Sequence, residues 1–380
     1  MTRLFHPVIE HQASWIVVNP AQGCPKNCQY CFLRPWGQTV TAPTMIATVP
    51  ETIEQLFTYP YLRPRTPICL LTHTDPFATS ANRALLMELI SSIRARSSTN
   101  PICFVTKCFI PPNIVDKLGE FNAPGSEIIA YLSYSGLTTE EEPGINHAKL
   151  KDNFTALSAR GIPVVHYWRP LLPQNSTRAV MERVFEWVSK TARCSVATGL
   201  KLYPEMYQQV KDWPELDKQF EEAVRAEDVW PDQAINELQR LRTAHPSYSI
   251  YTDNSCALSL VLGEGDLGAV YGSRRCQLCS CPQNQRFTCA TVRSAELDQS
   301  TIEIALAAAG VPMGAAQFKD EPGQRYIEIN DHRMSTASVA FLRQTLRTVV
   351  RVTKTEGDTY WNSGSTGGTP LVLSGEAHTR

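Results

Sequence analysis

The sequence has no surplus of either charge: 36 Lys and Arg face 37 Asp and Glu, a formal net charge of −1. A near-neutral chain gives no global reason to bind a polyanion, which leaves nucleic acid to local patches. It also lacks any apolar run near the ~20 residues that cross a bilayer, which argues against a membrane protein. The N-terminus, Met1 to Glu10, has no basic stretch, long apolar core or small-residue cleavage site, so a cytoplasmic protein is expected. Internal repeats are missing too. With 43% hydrophobic and 19% charged residues over 380 positions, the composition is that of an ordinary globular protein large enough to bury its core without staples.

Cysteine departs from this plainness. The chain has twelve, and they are grouped in a way that a disulfide framework is not. Three sit together in Cys24, Cys28 and Cys31, and four lie between Cys276 and Cys289, a pattern that in a reducing compartment points to metal sites. Cys69, Cys103, Cys108 and Cys194 stand singly on or beside apolar runs and read as small buried hydrophobes. Cys256 fits neither group.

From Trp15 to about Tyr203, β-rich runs alternate with amphipathic helical stretches. The strands are expected over Trp15 to Asn19, Ile68 to His73, Ile102 to Thr106, Glu127 to Ser133, Ile162 to Trp168 and Ser195 to Leu202. The clearest helices lie at Asn82 to Arg96, Asn146 to Arg160 and Ser176 to Lys190. Such alternation predicts an α/β fold with a parallel sheet, here a partial (β/α)6 TIM-type barrel with a smaller C-terminal α+β appendage. Polar groups follow each strand: the first cysteines, then His73, Thr74 and Asp75, then Lys107, Ser133 and Ser135, His166 and Arg169, and Lys201 and Tyr203. Parallel barrels build their active sites at that face, so one converging site is expected.

Beyond Pro204 the alternation stops. Asp212 to Arg242 looks helical, and a cysteine-rich segment follows from Cys256 to Cys289, opening on a hairpin-like run. Then come a helix over Ser300 to Ala309, a strand over Arg325 to Asn330, and a helix from Thr336 to about Val352. That last helix would align Arg343, Arg347 and Arg351 in one basic stripe, which could track phosphates or simply face solvent. The end of the chain is rich in Gly, Ser and Thr and reads as disordered.

The segment from Gly23 reads G-C-P-K-N-C-Q-Y-C-F-L-R-P-W. Three thiolates at C-x3-C-x2-C spacing can ligate three irons of a cubane and leave the fourth iron open to a small ligand. A zinc site would want a fourth ligand, and His11, the nearest histidine, lies before the strand.

This motif, with an aromatic residue before its third cysteine and placed after a first strand, resembles the signature of the radical S-adenosylmethionine (SAM) superfamily. The likeness extends over Trp15 to Tyr203, and is greatest to the spore photoproduct lyase-like group, on Thr74, Asp75 and Pro76, on Thr106 and Lys107, and on Ser133 and Ser135. It implies a [4Fe-4S] cluster on Cys24, Cys28 and Cys31. SAM would be chelated at the open iron and cleaved by one electron to a 5'-deoxyadenosyl radical that abstracts hydrogen from substrate. It further implies Tyr30 near the adenine, Thr74 and Asp75 by the methionyl group, Lys107 at the carboxylate and Ser133 or Ser135 at the ribose. Arg169 is counted with these cofactor-binding positions, and an electron donor such as flavodoxin or ferredoxin is implied as partner. One position departs from the group: where the repair lyases carry a hydrogen-donating Cys, this chain has His73. His73 is thus a candidate substrate-binding or proton-carrying residue, and thymine-dimer repair is put in doubt.

The second group, Cys276, Cys279, Cys281 and Cys289, supplies four soft ligands for a second [4Fe-4S] cluster or for zinc; with Cys256 it loosely resembles an auxiliary-cluster module. The chain thus divides into a barrel over 1–210, a helical and cysteine-rich metal segment over 211–292, an appendage over 293–355 and a disordered tail over 356–380. The function expected is a biosynthetic tailoring step on a small-molecule or nucleotide substrate, such as sulfur insertion or rearrangement. The alternatives are a nucleic-acid repair or modification lyase and, in another class, a zinc-stabilised nucleic-acid-binding module.

Overall fold

The computed structural model describes residues 4–210, 213–277, 279–321, 324–356 and 370–373. Its main sheet begins with β1 (Ile9–His11) and β2 (Ile16–Val18), an antiparallel pair. It continues with β3 (Ile68–Leu70), β4 (Ile102–Thr106), β5 (Ile128–Leu132), β6 (Val164–Trp168) and β7 (Cys194–Ala197), each parallel to the one before. A further strand, β8 (Val229–Pro231), lies outside this sheet, and β9 (Ile250–Tyr251) joins it beside β7. The result is a mixed α/β architecture around an eight-stranded, mostly parallel sheet.

The sequence explains why these strands are interior. I-I-A-Y-L in β5 and V-V-H-Y-W in β6 are buried at every position, as expected of strands covered on both faces. Side chains alternate along each strand. On one face Ile68, Leu70, Phe104, Leu132 and Trp168 pack against α1 (Val49–Phe57), α2 (Ser80–Ala95), α3 (Pro112–Phe121), α4 (His147–Ala159) and α5 (Arg178–Thr191). On the other, Val17, Cys69, Cys103, Tyr131, Val165 and Cys194 form an inner core. The helices begin where capping residues stand: Thr79 Oγ1 accepts from Asn82 N at 3.0 Å, and Asn146 Oδ1 from Lys149 N at 3.1 Å.

After β8 come α6 (Asp232–Ala244), α7 (Asn254–Leu262), α8 (Gln283–Ser294) and α9 (Gln299–Ala308). A separate three-stranded sheet then holds β10 (Ala316–Glu321), β11 (Gln324–Ser335) and β12 (Val349–Glu356), with α10 (Thr336–Leu346) between the last two strands. Its core, including Ile327, Ile329, Phe341 and Leu346, is its own. It leans on the start of the chain, where Phe341 stacks on Tyr61 at 4.8 Å and Gln344 Oε1 meets His11 Nε2 at 2.9 Å.

Three expectations are corrected here. The run after Cys256 is the helix α7 and not a hairpin, because the Asp253 carboxylate caps it by accepting from Ser255 N at 3.0 Å. The helix from Thr336 stops at Leu346: Arg347 turns left-handed at φ 48°, and the β-branched run that follows forms β12. The basic stripe therefore does not exist. Arg343 Nη2 donates to Val350 O at 3.0 Å, Arg347 Nη2 pairs with Glu264 at 3.3 Å, and Arg351 lies 3.7 Å over the Tyr326 ring. Within the segment 356–380, expected to be disordered, the described residues include β13 (Leu371–Leu373), which pairs in parallel with β8; the rest, apart from Glu356 and Pro370, lies outside the described residues.

Candidate functional site

The chain leaves β2 and turns at Gly23, whose φ of 107° suits glycine and whose N–H donates to His73 O at 2.9 Å. The cysteine loop follows, with Cys24 and Cys28 buried and Cys31 half-buried. Cys24 is pinned by backbone bonds to Gln38 and Thr41. A second loop, 140–144, braces the far side: Glu141 O accepts from Gln29 N at 3.0 Å, Glu140 O from Gln29 Nε2 at 3.1 Å, and Gly144 O from Lys26 Nζ at 2.7 Å.

Glu142 lies at the centre of this brace and is fully buried. Its Oε1 accepts from the Tyr30 hydroxyl, from Lys107 Nζ at 2.9 Å and from Ser135 Oγ at 2.8 Å, while His147 Nε2 stands 3.5 Å from Oε2. Burial pushes this carboxyl up, but the Lys107 charge and the three hydrogen bonds outweigh it and hold it below the usual range. The Lys107 ammonium also donates to Ser133 O at 3.1 Å and sits 5.5 Å above the Tyr30 ring. Sequence reasoning missed Glu142, which sits in the run E-E-E that reads as solvated loop; only burial tells it from Glu140 and Glu141, both exposed or partly so.

The other expected residues sit around this cluster. Asp75 joins two strand ends: Oδ1 accepts from Phe77 N at 2.9 Å and Thr106 Oγ1 at 2.8 Å, and Oδ2 from Lys107 N at 2.8 Å. Thr74 Oγ1 accepts from Asn82 Nδ2 at 3.0 Å. His73 lies beneath the cysteine loop, its ring edge-on to His6 at 4.6 Å and to Phe32 at 6.3 Å, and burial lowers it to about 3. His166 is tied at both ring nitrogens, by Ser195 Oγ at 2.9 Å and Tyr134 O at 2.8 Å. Arg169 donates to Tyr167 Oη at 2.9 Å, and its charge favours the Cys31 thiolate. Tyr30 also walls a cavity with Leu172, Pro173, Val210 and Trp213.

Burial pushes all three loop thiols up, Cys28 to about 12. Among the described residues, no three His, Cys, Asp or Glu side chains converge as ligands of a single ion. A cubane asks for something else, since each of its thiolates binds a different iron. Three thiols on one short loop, with no fourth Cys or His among them, are a donor set that fits such a cluster.

The remaining cysteines meet elsewhere. Cys256, Cys276, Cys279, Cys281 and Cys289 line one cavity beside β9. Donors point at three of the sulfurs: Tyr251 Oη at Cys281 (3.6 Å), Asp266 N (3.3 Å) and Gln285 Nε2 (3.5 Å) at Cys289, and Thr252 at Cys279. Such bonds stabilise thiolates that bind metal. Cys69, Cys103 and Cys194 stay in the inner core and Cys108 in the outer one, as buried apolar thiols.

No protein-family model matches the chain, and no curated protein does. Among solved structures it is similar to spore photoproduct lyase complexed with dinucleoside spore photoproduct, at TM-score 0.42 and 12% identity over 52% of this chain and 59% of that one. A mutant of the same lyase gives 0.43 and 13% over 55% and 64%. SuiB of Streptococcus suis bound to S-adenosylmethionine gives 0.39 and 13% over 55% and 46%. The chain spans less than two thirds of each of these neighbours. At such TM-scores the likenesses carry no part of the functional reading. Among the described residues, no helix is long and apolar enough to cross a membrane.

Proposed function

We propose that this chain is a radical SAM enzyme, a cytoplasmic protein whose sheet forms the partial (β/α)6 barrel from β2 to β7, with the C-terminal sheet as its appendage. One observation carries this: the three-thiol loop opens directly onto polar residues at the ends of β3, β4 and β5, and Glu142 gathers Tyr30, Lys107 and Ser135 beside it. Cys24, Cys28 and Cys31 would hold a [4Fe-4S] cluster, which with bound SAM supplies a carbon radical able to take hydrogen from substrate.

The side chains suit a zwitterionic ligand. Two of the three N–H groups of Lys107 are used, by Ser133 O and Glu142, leaving one for a carboxylate. Asp75 is the anionic side chain at the other end: its carboxylate, held by Phe77 N, Thr106 Oγ1, Lys107 N and the Cys108 thiol, would attract an ammonium group by its charge. The Ser135 hydroxyl is spent on Glu142, so Ser133 is the one to meet a ribose. Thr74 borders the ammonium, the apolar walls beside Tyr30 suit a purine, and Arg169 supports Cys31. His73, beneath the loop, is the candidate substrate-binding or proton-carrying residue.

Cys276, Cys279, Cys281 and Cys289 are read as ligands of a second [4Fe-4S] cluster, with zinc as the competing metal. The substrate proposed is a small molecule or nucleotide in a tailoring step, with a flavodoxin- or ferredoxin-type electron donor. The basic stripe no longer favours a nucleic-acid lyase, since Arg343 is bound to Val350 O and Arg347 to Glu264. Anaerobic reconstitution with iron and sulfide, followed by iron counting and assay of reductant-dependent 5'-deoxyadenosine, tests the reading. Replacing Cys24, Cys28 and Cys31 together by Ala should abolish the product; undiminished formation would sink the proposal.

A further inference from the structure

The cysteine-lined cavity lies between Tyr251 of β9, α7, the loop 263–270, the segment 271–281 and α8. The sequence G-E-G-D-L-G explains how they come so near. Gly263 ends α7 in the left-handed region at φ 64°. A Cβ on Gly265 would stand 2.6 Å from Val292 Cγ2 and 2.7 Å from Thr288 O, so α8 rests directly on the loop backbone. A Cβ on Gly268 would stand 2.3 Å from Ser255 Oγ, so the same loop is seated on the first turn of α7. Between these contacts Asp266 binds back, its carboxylate accepting from Val270 N at 2.6 Å and Tyr271 N at 2.9 Å while its own N–H points at Cys289. The cavity wall is thus built to close tolerance.

Cys256 enters this wall from α7 as its third residue, after Asn254 and Ser255. The first turn of a helix carries partial positive charge and unpaired N–H groups, which favour a thiolate. Cys276 and Cys279 line the same cavity as Cys256, with Cys281 and Cys289. Cys69, Cys103 and Cys194 show the contrast: they are wholly enclosed among apolar side chains and line no such space.

We propose that Cys256 is a ligand of the second iron-sulfur centre, which joins α7, on the inner face of the sheet, to the segment bearing Cys276, Cys279, Cys281 and Cys289; this rests on reading those four as a metal site. Four irons take four thiolates, so one of the other four cysteines is then spare. The centre would also be joined to the first site. Asn254, two residues before Cys256, donates to Tyr167 Oη at 3.2 Å, and that oxygen accepts from Arg169.

The test uses the full chain carrying Cys24→Ala, Cys28→Ala and Cys31→Ala, so that all bound metal reports the second site. After anaerobic reconstitution this protein should hold about four irons, and adding Cys256→Ala should remove most of them. In the unaltered protein, mass spectrometry after alkylation should find Cys256 labelled without metal and protected with it, which needs no substitution to fold. Full iron retention in the Cys256→Ala protein, with equal labelling of Cys256 in both states, would overturn the proposal and leave the second centre standing. One zinc and no iron, or no metal at all, in the parent protein would overturn the centre itself.

Discussion

Lys107 and Glu142 form an ion pair across two loops, Nζ to Oε1 2.9 Å, with the carboxylate side chain fully enclosed and the ammonium nearly so. The pair fixes the strand end that carries Lys107 to the loop that braces the cysteines. Because the same oxygen also holds Tyr30 and Ser135, removing it disturbs three partners at once.

Glu142→Ala should therefore lower stability by about 3 kcal/mol, because it leaves a poorly solvated cation unpaired. Glu142→Gln should lose less, keeping some of the hydrogen bonds. Urea unfolding of both variants checks this, and a loss under about 0.5 kcal/mol in Glu142→Ala would show the pair to be idle. Since the Glu142 carboxyl is held below its usual value, its contribution is present above the ordinary carboxylate range and lost as pH falls through the folded value. The acid limb of Glu142→Gln should be shallower.

His11 and His166 are buried and each lowered from 6.5 to about 4. Between those values the unfolded chain binds protons that the folded chain refuses, so stability rises with pH across that window and falls on acidification. Each should remove about 2 kcal/mol between pH 7 and 5, at about 1.4 kcal/mol per pH unit. His166→Gln should flatten that slope in unfolding curves taken at the two pH values. An unchanged slope would mean that His166 does not stay neutral.

Asp75→Ala should weaken SAM binding at least tenfold, since a charge-assisted hydrogen bond contributes about 1.5 to 3 kcal/mol. Isothermal titration with the reconstituted protein measures it. Lys107→Ala should do the same from the other end of the zwitterion, and unaltered affinity in both would remove these residues from the site.

Arg343→Ala and Arg347→Ala should destabilise the protein while leaving any affinity for single-stranded DNA unchanged. Their guanidinium groups are bound to Val350 O and Glu264 and are not on offer to phosphates. Thermal unfolding and filter binding separate the two effects, and a drop in DNA affinity at constant stability would restore the basic stripe.

Much of the fold was legible because the β-rich runs are short, apolar and separated by capped helices: Ile102–Thr106 was read to the residue. The three-cysteine loop was legible because its spacing is local and its chemistry lies in the residue types. Glu142 was not, because three adjacent glutamates differ only in what the fold buries. Cys256 was legible only in part: its place in the sequence groups it with the second cysteine cluster, but its seat on a helix at the cavity wall was not readable.

From Trp15 to Tyr203 the chain order of strands and helices, the grouping of thiols and the polar strand ends were thus settled by the sequence itself, through period and spacing. Tertiary structure decided the rest, because long-range packing sets which groups share a space. It ended the last helix at Arg347 and turned its arginines inward, bound Asp75 to Thr106 and Lys107, and put the five cysteines of 256–289 around one cavity.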